Sequence, residues 1–278
     1  MGPTASDPDR YAVVGHPVQH SRSPFIHALF ARQTGEDITY ELIDAEPGNF
    51  ETAVRGFGAA GGKGLNVTLP HKEAAFAMAD ELGPEAERVR AVNTMTFHTN
   101  GRIRGDNTDG IGFLRDLTVN HRLQLRDKRV LILGAGGAAR GILAPLLDSE
   151  PAELVLANRT IERAVKLVEE LAAPRELSVC RFDELGAHAP FDLLVNATSA
   201  GVRGEAQPFP PDCVGPDSFC YDLAYSLKDT PFILWARERG AGKAVQGWGM
   251  LVEQAAESFV IWRGVRPDTA PILSQMPA

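Results

Sequence analysis

At 278 residues the chain has room for two domains of ordinary size, and 44% apolar with 23% charged residues is the make-up of a globular protein with a sizeable core. A net charge of −8 with no basic stripe argues against a nucleic-acid surface, and no run of eighteen uninterrupted apolar residues offers a membrane-spanning helix. Cys180, Cys213 and Cys220 contain no Cys-x-x-Cys pair and the first ten residues lack a basic-then-apolar leader, so neither a disulfide framework nor export is expected and a cytoplasmic location fits best.

In chain order, the apolar run at 11–15 predicts a buried strand ending in a glycine turn, and Ser23-Pro24 opens a helix through Phe25, Leu29 and Phe30. Residues 38–43 predict a second strand, 49–58 a helix, 64–69 a third strand ending at Pro70, and 73–82 a helix rich in Ala and Glu. Residues 92–97 and 102–105 flank Asn100-Gly101, a dipeptide that favours a tight type I′ hairpin connection. These elements make residues 1–110 one α/β domain. From 111 a helix leads through a basic connection into Val130-Leu131-Ile132-Leu133, the continuous apolar run of a parallel strand covered on both faces. A strand at 154–157, a helix at 161–171 and strands at 193–196 and 220–223 continue the alternation and predict a doubly wound sheet over residues 111–244. The last helix, 250–262, sets Leu251, Ala255, Phe259 and Trp262 on one face, and residues 245–278 are expected to pack back on the first domain. The same apolar face would serve a second copy equally well, which leaves a homodimer open.

Gly134-Ala135-Gly136-Gly137-Ala138-Ala139 joins the apolar strand to a helix continuing through Leu143, Leu146 and Leu147. Such a turn lets a pyrophosphate approach the backbone and the positive end of the helix. Ala139 stands where Gly-x-Gly-x-x-Gly has its third glycine, and it is small enough for close packing. An NAD site usually carries an acid at the end of the next strand to hold the ribose 2′-hydroxyl. Here the residues are Asn158-Arg159-Thr160, and Arg159, with Arg163 a helical turn later, offers charge-assisted hydrogen bonds to a 2′-phosphate. The expected cofactor is therefore NADP.

Asn66-Val67-Thr68-Leu69-Pro70-His71-Lys72, Ala91-Val92-Asn93-Thr94 and Gly105-Asp106-Asn107-Thr108-Asp109-Gly110 concentrate amides and hydroxyls. A buried amide or hydroxyl without a partner costs roughly 1–3 kcal/mol, so these clusters call for a ligand rich in hydroxyl groups. His16, His20 and His71 have no metal-ligand spacing with an acidic partner, and no metal is expected.

Together with Ser21-Arg22-Ser23-Pro24, Asn196-Ala197-Thr198-Ser199, Tyr221-Asp222 and Gly249-Met250-Leu251-Val252-Glu253-Gln254-Ala255, these motifs run nearly end to end, and the chain resembles the shikimate dehydrogenase family. The resemblance implies NADPH-dependent, reversible reduction of 3-dehydroshikimate to shikimate, a step of aromatic amino-acid biosynthesis. It implies an N-terminal α/β substrate domain plus a Rossmann-like doubly wound NADP domain, with the active site in the cleft between them. By the same resemblance Ser21 and Ser23 bind the substrate carboxylate, and Thr68, Lys72, Asn93, Asp109 and Gln254 surround the ring hydroxyls. Tyr225 lies near the substrate, although Ser226-Leu227-Lys228-Asp229 departs from the commoner loop around it. The implied cofactor residues are Gly134, Ala135, Gly136, Gly137, Ala138, Asn158, Arg159, Thr160, Arg163, Thr198 and Gly247.

Reducing a carbonyl requires a proton for the oxygen as hydride reaches the carbon, so an ionisable group must stand nearby. Lys72 is the natural candidate, and a carboxylate at Asp109 would favour its ammonium form, so the two are read as a coupled pair without deciding which relays the proton. Plainer roles exist for several residues: Ser21 and Ser23 could cap a helix, Asn93, Asn107 and Asp109 could form turns, and Gln254 could be a polar flank. A quinate/shikimate dehydrogenase with relaxed substrate use, and a catalytically silent nucleotide- or cyclitol-binding module, are the alternatives. The expected partner in each case is a small molecule.

Overall fold

The computed structural model describes residues 7–171, 177–187, 190–198 and 211–275. The chain forms two compact units, Met1–Thr108 with Val252–Ser274, and Asp109–Leu251 with the last four residues.

The first unit begins with β1 (Asp9–Gly15), α1 (Ser23–Thr34), β2 (Ile38–Asp44), α2 (Phe50–Ala59), β3 (Gly62–Val67) and α3 (Lys72–Met78). It continues with β4 (Glu81–Leu82), α4 (Pro84–Val89), β5 (Thr94–Phe97) and β6 (Ile103–Asp106). The sheet order is β2-β1-β3-β5-β6-β4, with β2, β1 and β3 mutually parallel and β3-β5-β6 antiparallel. One face is packed by Ala12, Val14, Leu65, Val67, Met95 and Ile103 against Phe50, Val54 and Phe57 of α2.

Two expectations fail here. The helix expected over 73–82 stops at Met78, because Ala79 turns extended and Asp80 takes up β6: its N–H donates to Ile103 O at 2.8 Å and its carboxylate accepts from Ile103 N at 2.8 Å. Glu81 and Leu82 then pair with Arg104 and Gly105, and Pro84 starts a separate helix. The hairpin at Asn100-Gly101 is not type I′. Only Gly101 has positive φ, +82°, and the bonds Gly101 N to His98 O and His98 N to Arg102 O describe a three-residue loop with glycine at the bulge.

The second unit contains α5 (Asp109–Arg115), which widens into a π turn at Asp116–Asn120, then β7 (Arg129–Leu133), α6 (Gly137–Asp148), β8 (Glu153–Ala157), α7 (Ile161–Glu170) and β9 (Ser178–Cys180). After them come β10 (Leu193–Asn196), β11 (Phe219–Asp222), α8 (Pro231–Glu238) and β12 (Lys243–Gln246). All six strands are parallel in the order β12-β11-β10-β7-β8-β9. Numbered within the unit this is 6-5-4-1-2-3, the dinucleotide-binding arrangement, with its switch point between β7 and β10. The alternation inside β7 shows why its run is wholly apolar. Val130 and Ile132 enter one core with Leu154, Leu156, Leu193 and Val195, while Leu131 and Leu133 enter the other with Val155, Ala157 and Leu194. The expected boundary at 244/245 also shifts, because Lys243–Gln246 is the edge strand of this sheet, paired with β11, and the unit extends to Leu251.

α9 (Trp248–Arg263) and α10 (Ala270–Leu273) end the described chain, and from Val252 onward they belong to the first unit. There α9 lies on the second face of the first sheet. The Trp262 ring lies tilted against Tyr11 with centroids 4.7 Å apart and donates to Met95 O at 3.1 Å, while Arg263 pairs with Asp9 at 2.5 Å and with Glu36. Burial raises the Tyr11 hydroxyl above its ordinary pKa, with Arg263 opposing.

Candidate active site

In the first unit the C-terminal ends of β1 and β3 lie side by side. Thr68 N–H donates to Val14 O at 2.9 Å and His16 N–H to Leu69 O at 3.0 Å. The segment after β1, with Ser21 and Ser23, and the segment after β3, with Thr68 and Lys72, therefore leave from the same sheet edge, the edge where parallel α/β sheets bind ligands. Ser21 Oγ donates to Ser23 Oγ at 3.2 Å and accepts from Ser23 N at 3.3 Å. Neither serine is the N-cap of α1: that position is Arg22, and no side chain caps it. Lys72 is the first residue of α3, and its carbonyl accepts from Val92 N at 2.9 Å, which brings the lysine backbone beside Asn93.

Asn93 is buried at 2% exposure and Gln254 at 9%. Asn93 Nδ2 donates to Thr108 Oγ1 at 2.9 Å and to Gln254 Oε1 at 3.4 Å, while its Oδ1 accepts from Thr108 N and Thr94 Oγ1, both at 2.9 Å. Two amides from distant parts of the chain are thus interlocked, and Gln254 is no polar flank. His71 serves the fold: its Nε2 is 2.7 Å from Ala45 O and its ring stacks on Phe50 at 4.5 Å.

In the second unit Gly134 closes the turn after β7. Its φ is +102°, its N–H donates to Ala157 O at 2.7 Å, and a Cβ there would meet Thr198 and Ala197 at 3.0–3.1 Å, so only glycine fits. Gly136 precedes α6 with open space where a Cβ would project, and Ala139 is buried in the core. An open backbone face at the positive end of a twelve-residue helix suits a pyrophosphate. After β8, Asn158 Nδ2 donates to Thr160 O at 2.8 Å and shapes the turn that carries Arg159. Arg159 and Arg163 are exposed and not ion-paired among the described residues. These features fit NADP.

At the ends of β10 and β11 a buried network holds the neighbouring turns. Asp222, fully buried, accepts from Asn196 Nδ2 at 3.0 Å, from Ala224 N at 3.1 Å and from Thr230, while Asn196 Oδ1 accepts from Thr198 N and Oγ1. Burial raises the Asp222 carboxyl above its ordinary range, with these donors opposing. Ser199 lies outside the described residues. Asp109, the first residue of α5, is buried at 6%, Tyr225 lies 6.3 Å from Trp248, and Gly247 N–H donates to Ala224 O at 3.0 Å. These three belong to the second unit, unlike Ser21, Ser23, Thr68, Lys72, Asn93 and Gln254. The three cysteines are buried, and burial pushes Cys180 and Cys213 up to about 11 and Cys220 to about 12, which disfavours the thiolate. Among the described residues no three His, Cys, Asp or Glu side chains cluster as metal ligands, and no helix is long and apolar enough to cross a membrane.

Thr94, Thr108 and Ser258, which are not among the expected site residues, all bond into the amide pair or beside it. Gln254 and Ser258, uncharged polar residues at i and i+4 on one helix, were a usable signal for the last of them.

Fold and site together define a two-unit α/β protein of the nucleotide-dependent oxidoreductase class, one unit built to hold a dinucleotide and the other carrying an interlocked amide pair. Comparison with known proteins narrows this. Three family profiles match, described as shikimate dehydrogenase substrate binding domain over residues 13–95, shikimate / quinate 5-dehydrogenase over 117–202, and shikimate 5′-dehydrogenase C-terminal domain over 247–276. A shikimate dehydrogenase (NADP(+)) of Alkalilimnicola ehrlichii is 54% identical over 96% of this chain and 98% of its own. The crystal structure of an Ael1 enzyme from Pseudomonas putida superposes with a TM-score of 0.88 at 46% identity, covering 97% of this chain and 98% of that one. Shikimate 5-dehydrogenase from Thermus thermophilus, solved in complex with NADP(H) and shikimate, gives a TM-score of 0.84 at 35% identity, over 96% of this chain and 97% of that one. The chain belongs to the shikimate dehydrogenase family.

Proposed function

We propose that the chain catalyses the reversible, NADPH-dependent reduction of 3-dehydroshikimate to shikimate in the cytoplasm, as a step of aromatic biosynthesis. The observation that carries this reading is the buried Asn93–Gln254 pair beside Lys72 at the ligand-binding edge of the first sheet, in a chain whose relatives named shikimate dehydrogenase (NADP(+)) match it almost end to end.

When bound, the nicotinamide supplies hydride to the carbonyl carbon. The chain's residues do the rest. The Ser21 and Ser23 hydroxyls take the substrate carboxylate, Thr68, Asn93 and Gln254 hold the ring hydroxyls, and Tyr225 stands near the ring. Lys72 and Asp109 are the acid–base groups, one of which delivers the proton to the carbonyl oxygen and in the reverse direction receives it. The turn Gly134 to Ala138 and the start of α6 hold the pyrophosphate, Arg159 and Arg163 with Asn158 and Thr160 take the 2′-phosphate ribose, and Thr198 and Gly247 complete the nucleotide's surroundings.

The test is nicotinamide absorbance with shikimate and NADP, repeated with NAD and with quinate. Turnover is expected with shikimate and NADP. Lys72→Ala should lower kcat by about 10²–10⁴-fold with little change in NADP affinity. Turnover within tenfold of the unaltered chain would remove the proton-transfer role of Lys72.

A further inference from the structure

Ser258 is fully buried on α9, one turn after Gln254. Its hydroxyl lies 3.0 Å from Asn66 Nδ2 of β3, 2.8 Å from Thr94 Oγ1 of β5, 3.3 Å from Thr108 Oγ1 and 3.1 Å from Gln254 O in its own helix. One hydroxyl therefore registers the helix that carries Gln254 against the strand end that carries Asn93.

We propose that Ser258 is a positioning residue for substrate binding, holding the turn of α9 that carries Gln254 against the strands that lead to Asn93. The inference rests on the reading of those amides as partners of the substrate hydroxyls. The Ser258 hydroxyl has one proton, for which Gln254 O and Thr94 Oγ1 are the acceptors within reach. Ser258 in turn accepts from Asn66, whose own Oδ1 accepts from the Tyr40 hydroxyl at 2.7 Å. Asn93 Oδ1 is met by two donors, the Thr94 hydroxyl and Thr108 N–H. Asn93 is left with its Nδ2 toward Gln254 Oε1, and Gln254 with its carbonyl end turned to Asn93 and Thr108 and its Nε2 at the other end. Reversing either amide would exchange a donor for an acceptor at the substrate. Without the Ser258 hydroxyl, the turn of α9 that carries Gln254 loses its bonds to Asn66 and Thr94.

Ser258→Ala is therefore expected to raise KM for shikimate about tenfold, the scale of one misdirected hydrogen bond, with kcat and KM for NADP changing less than twofold. In a Gln254→Ala background the same change should add less than a further twofold, because the amide it orients is gone. Thr94→Val, which removes the β5 side of the same contact with little change of volume, should reproduce the split and stands in if Ser258→Ala fails to fold. A lowered melting temperature with KM for shikimate unchanged would overturn the proposal, as would a full tenfold loss added on top of Gln254→Ala. An unaltered chain that folds, binds NADP and does not turn over shikimate would remove the underlying reading, and the proposal with it.

Discussion

Replacing His27 with methionine should make the protein less sensitive to acid. His27 is fully buried on α1, stacked on Tyr40 at 4.2 Å and surrounded by Phe30, Phe259 and Trp262, and neither ring nitrogen has a hydrogen-bond partner among the described residues. Burial pulls its pKa down from 6.5 to about 3. The unfolded chain therefore takes up a proton below pH 6.5 that the folded chain refuses, and stability falls as pH falls across that window. At pH 5 the unfolded ring is about 1.5 units below its pKa, so at about 1.4 kcal/mol per unit the folded state is about 2 kcal/mol worse off than at pH 7.5. Methionine, close in volume and without a proton to gain, abolishes this cost. The assay is urea unfolding at pH 7.5 and pH 5.0, followed through Trp262, 5.5 Å from the ring, with Trp235 and Trp248 changed to phenylalanine. The unaltered protein should lose about 2 kcal/mol more than His27→Met between the two pH values, and at pH 7.5 the variant should be no less stable. Equal losses in both proteins, or a His27 ring that titrates near 6.5 by NMR, would refute the reasoning.

Tyr221→Phe removes a buried hydroxyl that donates to Asp116 Oδ2 at 2.6 Å and accepts from Met250 N at 3.2 Å, so stability should drop by about 1–3 kcal/mol, read as a shifted urea midpoint. An unchanged midpoint would mean that the buried Asp116 carboxylate is held by its other neighbours, Asn120 and His121, alone. Arg159→Ala should raise KM for NADP by about ten- to a hundredfold, the scale of a charge-assisted bond to phosphate, and leave KM for NAD within threefold. Equal losses with both cofactors would place Arg159 away from the 2′-phosphate.

The parts of the fold legible in the sequence are those where local pattern and burial agree. Val130 to Leu133 reads as a buried strand because both faces are covered, and Gly134 reads as a turn because no side chain fits there. The two edge strands of the second sheet were silent for the opposite reason. Ser178–Cys180 and Lys243–Gln246 each lie at a sheet margin with at most one fully buried side chain, so neither carries an apolar run. Strand β4 was hidden inside an Ala- and Glu-rich stretch of good helix formers, and only the tertiary bonds of Asp80 to Ile103 turn it extended. Thr230-Pro231 was a usable start signal for α8, with Thr230 accepting from Ile233 N at 3.3 Å and proline in the first turn. In the site, the polar motifs marked Asn93 and Lys72, whereas the pairing of Asn93 with Gln254 crosses 161 positions of sequence and no local pattern encodes it.

Because the second unit is inserted between Thr108 and Val252, the first unit is finished only when Val252–Ser274 emerges. During synthesis its sheet waits for some 140 residues, on the order of ten seconds at ordinary elongation rates, without Phe259 to cover Phe30 or Trp262 to cover Tyr11. The inserted unit, contiguous in sequence from Asp109 to Leu251, carries its whole six-stranded sheet and meets no such delay. The nucleotide-binding half can therefore mature on the ribosome first, while the half that carries Lys72 keeps an apolar sheet face exposed until α9 arrives, which makes that interval the one in which a nascent-chain chaperone has a surface to hold.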